Sequence, residues 1–180
     1  MDFDAVLAVH DCALAQAAAQ RGLLPPGFTG NGAELRRLLQ NMPGGQAEWR
    51  RLEGRAMGPG MALAKLAPAA RNALEHCRQA KIHCVILVMR PPCAPFDPER
   101  TDLHQAAMDW MRDQGFFDAH GFAIPTGNVV MVDNRRARLE AMAAHAISHM
   151  VLAADDDEPL LPKNITRVLV QAGEDWPNFF

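Results

Sequence analysis

Phe3-Asp4-Ala5-Val6-Leu7-Ala8-Val9-His10-Asp11-Cys12-Ala13-Leu14 is the stretch on which the reading of the chain turns. Aliphatic residues run almost unbroken from Ala5 to Val9, the composition of a strand covered on both faces in a parallel sheet. Polar residues follow at once. In open α/β sheets the carboxyl edge of the strands is where ligands bind, so chemistry is expected around His10, Asp11 and Cys12.

Outward from that stretch, strands and helices alternate. Ala13 to Arg21 is rich in Ala, Gln and Leu and reads as a helix closed by Gly22. After Pro25-Pro26-Gly27 come two short polar helices, Glu34 to Met42 and Gln46 to Arg55, split by Pro43-Gly44-Gly45. Trp49 and Leu52 share a face of the second. Gly58-Pro59-Gly60 reads as a hinge, followed by a helix from Pro68 to Ala80 with Leu74 and Cys77 turned inward.

Ile82 to Val88 is a second apolar strand, and Met89-Arg90-Pro91-Pro92 opens a stiff loop reaching Pro98. Thr101 to Gln114 is helical, with Leu103, Ala107, Trp110 and Met111 at helical spacing. Val129 to Val132 is a third strand ending at Asp133-Asn134, Arg135 to His145 a helix, and His149 to Ala153 a fourth strand. Ile165 to Ala172 fits a helix or an edge strand equally. The run Asp155-Asp156-Asp157-Glu158 reads as a solvated loop, and the aromatic tail Trp176-Pro177-Asn178-Phe179-Phe180 as a segment packed on the core. The alternation predicts a three-layer α/β fold.

Composition narrows the function classes. The 180 residues suit one domain, or a core carrying a small insertion, and 49% hydrophobic content supports a core without staples. A formal charge of −3 gives no reason to expect a nucleic-acid partner. No signal peptide is visible and no apolar run approaches membrane-spanning length, so a cytoplasmic protein is expected. The 4 cysteines, Cys12, Cys77, Cys84 and Cys93, form no CxxC pair and read as reduced thiols. The ten methionines read as core filler.

The order of elements resembles the haloacid dehalogenase (HAD) superfamily, in its phosphatase-like branch with a small helical cap. Phe3-Asp4-Ala5-Val6-Leu7 is similar to the opening of many members, Leu74 through Arg90 to their second motif region, and Val129 through Ala144 to their acidic fourth motif. The resemblance implies a HAD-like, Rossmann-like parallel-sheet core over 1–22 and 58–180, with the helical cap inserted at 23–57. It also implies an Asp-x-Asp motif after the first strand, whose first Asp attacks phosphorus and whose second serves as acid and base.

Laid on this chain, that template puts Val9 at the nucleophile position and Asp11 at the acid/base position. Val9 has no lone pair, so the covalent step is lost. A rival register uses Asp2 and Asp4, but only Met1 precedes Asp2, and Ala5 to Val9 would lose its role as the strand; the Val9/Asp11 register is preferred. Met89 stands where the resemblance implies a phosphate-binding Ser or Thr, and it cannot donate a hydrogen bond. No Lys or Arg occurs between Gly115 and Val132. The metal motif is reduced to Asp133-Asn134, followed by Arg135, Arg136 and Arg138. Mg²⁺ would rest on Asp11 and Asp133 alone, two carboxylates for a hard cation that seeks several oxygen ligands.

Two function classes stay open. The first is a degenerate, non-catalytic HAD-like protein, without cofactor, that binds a protein partner or a small anionic ligand; Met89, Arg90 and Asn134 are its candidate ligand-binding residues and self-association is left open. The second is a Mg²⁺-dependent phosphohydrolase acting on a small phosphorylated metabolite. A zinc-type site at His10, Asp11, Cys12, Cys93 and Asp133 lacks any spacing motif. Arg135, Arg136 and Arg138 fit either an anion site or a solvated helix face neutralised by Glu140 or the acidic run.

Overall fold

In the computed structural model, which describes residues 1–4, 6–94, 96–97, 99–153 and 163–170, the apolar run that opens the chain does not extend as one strand. The elements in chain order are β1 (Ala8–Val9), α1 (Asp11–Gln20), α2 (Gly32–Gln40), α3 (Gly45–Met57), β2 (Lys65–Leu66), α4 (Pro68–Gln79), β3 (Ile86–Met89), α5 (Leu103–Asp113), β4 (Val129–Val132), α6 (Arg135–Ala144), β5 (His149–Ala153) and β6 (Thr166–Val170). The protein is mixed α/β with short parallel strands. Its chain divides into two compact units. One holds Met1–Val9, Leu66–Arg90 and the described residues from Met111 onward; the other holds His10–Lys65 and Pro91–Trp110. The stretch expected as a cap, 23–57, falls wholly inside the second unit.

The first unit is built on parallel pairings. β3 runs beside β4 from Ile86 opposite Val129 to Met89 opposite Val132, and β5 beside β6 from His149 opposite Thr166 to Ala153 opposite Val170. The segment left open between helix and strand is therefore a strand. Met1 to Phe3 joins the two pairs. The amide of Leu87 donates to the carbonyl of Met1 and the amide of Phe3 to the carbonyl of Leu87, both at 2.9 Å, while the amide of Asp2 reaches the carbonyl of Val151 at 3.1 Å. The backbone order is thus β6, β5, residues 1–3, β3, β4.

The strand expected over Ala5 to Val9 is accordingly displaced. The amides of Leu7 and Ala8 both turn back to the carbonyl of Phe3 at 3.0 Å, and among the described residues of that run only Ala8–Val9 forms a strand. Val6, Leu7 and Ala8 are buried all the same. A turn can hide an aliphatic run as well as a strand can, so periodicity alone does not separate them. The second strand also starts later than expected. The amide of Ile82 donates to the carbonyl of Cys77 at 2.8 Å, which uses residues 82–84 to close the end of α4. Val85 to Val88 are buried on both faces, as in a covered parallel sheet. Val85, Leu87, Val132, Met150 and Leu152 pack on Ala141 and Met142 of α6.

The second unit is helical at its core. Ala13, Leu14, Ala17 and Ala18 of α1 meet Leu35 and Leu39 of α2 and Trp49, Leu52 and Ala56 of α3, three stripes at three- and four-residue spacing. Asn31 and Glu34 form a reciprocal capping box at the start of α2. Gly32 lies so near α1 that a Cβ there would stand 3.0 Å from the Asp11 carboxylate and from the Leu14 side chain. Trp110 belongs to the same unit, its indole N–H donating to the carbonyl of Ala64 at 3.0 Å. The acidic run 155–158 and the tail 176–180 lie outside the described residues.

Candidate functional site

Chain order places the point where the connections diverge. From Met1–Phe3 the chain moves to β3 and then β4 on one side, and later returns to β5 and β6 on the other. Connections that leave a strand in opposite directions create a gap outside its carboxyl end, the usual ligand site of an open parallel sheet. That point falls where Phe3 passes into Asp4. Met89 ends β3 with Arg90 after it, and Asp133 and Asn134 follow the end of β4.

Two ion pairs, each with a buried guanidinium, dominate this edge. The guanidinium of Arg90 grips Asp4 with both arms, Nε donating to Oδ2 at 2.9 Å and Nη2 to Oδ1 at 2.5 Å. Its other face lies over the ring of Phe3, 4.9 Å from the centroid. Arg90 itself is 1% exposed. The fork geometry is the strongest form of a carboxylate contact.

The second pair crosses from helix to strand. Arg138, also 1% exposed, extends from α6 so that Nη2 donates to Oδ2 of Asp2 at 3.1 Å. The amide of Phe3 donates to the other Asp2 oxygen at 3.0 Å. Nη1 and Nη2 of Arg138 also stand 3.9 Å from the thioether sulfurs of Met89 and Met150. Each of the two carboxylates thus meets a guanidinium, and the formal charges within each pair cancel. A divalent cation arriving here would face two fixed cations and carboxylates already engaged, an unfavourable setting for a hard ion that seeks several anionic oxygens.

The remaining predicted residues hold structural positions. Val9 ends β1 half-buried. Asp11 is the first residue of α1, exposed, and its Oδ1 accepts the amide of Gly32 at 2.9 Å, so it serves the N-terminus of α2. His10 is buried just before α1, Cys12 is exposed, and the Cys93 thiol donates to the carbonyl of Arg100 at 3.6 Å. Asn134 is a helix cap: its side-chain oxygen accepts the amide of Ala137 at 2.9 Å, and its Nδ2 donates to Asp133 at 2.6 Å. Met89 is partly exposed, with its sulfur toward Arg138. Among the described residues no cluster of three or more His, Cys, Asp or Glu side chains could hold a metal. No described helix is long and apolar enough to cross a membrane.

Arg136 and Arg138 separate clearly. Arg136 pairs with Glu140 at 2.8 Å on the exposed face, whereas Arg138 is turned to the sheet. The side chain of Arg135 lies outside the described residues. A signal for Arg138 exists in the sequence: it stands three and four residues before Ala141 and Met142, both buried, and so shares the inner face of α6. No family model matches the chain, and neither a curated protein nor a solved structure matches it.

Proposed function

We propose that the chain is a HAD-like α/β protein with a three-layer core and a helical cap, and that its sheet edge binds a protein partner or a small anionic ligand without hydrolysing phosphate. The observation that carries this reading is the engagement of Asp2 by Arg138 and of Asp4 by Arg90. A nucleophilic carboxylate needs an unencumbered anionic oxygen beside an electrophile and its metal. In either register the edge falls short of that. Val9 offers no nucleophile, and Asp2 is neutralised by a buried guanidinium.

The phosphohydrolase reading has one feature in its favour: Asp2 lies in the segment between β3 and β5, at the point where the chain's connections diverge. Under that reading Asp2 is the nucleophile and Asp4 the acid and base, and Mg²⁺ displaces both guanidiniums. A Mg²⁺-supplemented assay on a generic aryl phosphate separates the two. The wild type is expected to give no turnover above the protein-free rate. Turnover that vanishes in Asp2→Asn overturns the binding reading in favour of the Asp2/Asp4 register; turnover that vanishes only in Asp11→Asn overturns it in favour of the other.

A further inference from the structure

Away from the sheet edge, the first unit holds a cavity of about 270 Å³ whose wall includes Cys77, Arg78, Lys81, His83 and Cys84. Cys77 is buried in the last turn of α4, and Cys84 is half-buried just before β3. The bond from the Ile82 amide to the Cys77 carbonyl folds the connecting turn back on itself. The side chain of Asn128 donates to the carbonyl of Cys84 at 3.0 Å, which holds the other end of the turn. Both thiols line this one cavity.

The Cys77 thiol beside it draws the Cys84 thiol down, against the effect of its burial. The same neighbour, with burial in addition, pushes Cys77 up. Cys84, the less buried of the two, is the one an incoming molecule reaches first.

We propose that Cys77 and Cys84 form a thiol–disulfide exchange site for an anionic low-molecular-weight disulfide, admitted through the cavity flanked by Arg78 and Lys81. The Cys84 thiolate attacks one sulfur of the incoming disulfide, whose S–S bond breaks, and the departing half takes up a proton as a free thiol. Cys77 then gives its proton to solvent and attacks the Cys84 sulfur of the mixed disulfide, expelling the second half as a thiol. Two protein thiols are oxidised to one disulfide, and the external disulfide is reduced to two thiols.

The test exposes the reduced protein to oxidised glutathione at pH 7, quenches with an alkylating reagent and maps the peptides. Of the 4 cysteines, Cys77 and Cys84 are expected to become resistant to alkylation together and to appear as one linked pair. Cys77→Ser is expected to accumulate the glutathione adduct on Cys84. Four alkylatable thiols, a link through Cys12 or Cys93, or a stable adduct on wild-type Cys84 overturns the proposal. The wild-type map decides the matter even if Cys77→Ser fails to fold.

Discussion

Replacing Arg138 by Met tests whether the pair with Asp2 is a fixed part of the fold. Arg138 is 1% exposed and Asp2 8%, so the substitution takes the guanidinium away from a buried carboxylate. Breaking such a pair from one side costs about 3–5 kcal/mol. With a urea dependence of about 2 kcal/mol/M, the unfolding midpoint should fall by roughly 1.5–2.5 M. Asp2→Asn removes the opposite charge that faces the guanidinium instead, and the new amide oxygen still accepts the Phe3 N–H, so its loss should be the smaller of the two. The double variant removes both charges. It should be more stable than the sum of the single losses predicts, by a coupling of about 2 kcal/mol or more. Urea titrations followed by circular dichroism on the four proteins give the cycle. A midpoint drop below about 0.5 M for Arg138→Met, or a double variant that loses the full sum, would refute the reasoning.

The two buried tryptophans of the second unit should respond differently to Phe. The Trp110 indole N–H is bonded to Ala64, whereas that of Trp49 is buried with no partner among the described residues, so Trp110→Phe should cost about 1–3 kcal/mol more than Trp49→Phe in thermal unfolding. Asn134→Ala removes the cap of α6 and should lower stability by about 0.5–2 kcal/mol, with Asn134→Asp restoring most of it. Glu48 is held below its ordinary value chiefly by the hydrogen bond from Arg21. A carboxyl lowered in the folded state contributes above its unfolded value and loses that contribution as pH falls through the lowered one. Arg21→Ala should therefore move the Glu48 titration midpoint upward in an NMR pH series, and an unmoved midpoint would count against that assignment.

Helical elements were legible because their signals are local. The 3.6-residue spacing of Leu103, Ala107, Trp110 and Met111, the glycine at 22 and the break at Pro43-Gly44-Gly45 each act within a turn or two, and α1, α3 and α5 lie within two residues of the reading at most of their ends. β4 and β5 coincide with the expected strands. The opening stretch was less transparent. Whether Ala5 to Val9 or Met1 to Phe3 enters the sheet depends on which backbone meets Leu87 and Val151, contacts no window of sequence contains. For the same reason Arg138 resembled its exposed neighbour Arg136 until the carboxylate of Asp2, 136 positions away, came into view. The pairing of Cys77 with Cys84 also has no spacing motif to announce it; a helix end and a returning turn create it.

The place of Met1–Phe3 between β3 and β5 has a kinetic consequence. Its partners, Leu87 and Val151, stand far along the chain, so each of these bonds closes a long loop. Loop-closure entropy makes such contacts late and slow, and they raise the contact order of the unit. During synthesis from the amino terminus, residues 1–3 must wait until the residues around Val151 have been made. The facing edges of β3 and β5 stay open in the meantime, and an open strand edge is a template for another chain. The helices of the second unit, built from neighbours in sequence, can assemble well before that. Refolding should then show a fast helical phase and a slower one set by the arrival of residues 1–3 between β3 and β5.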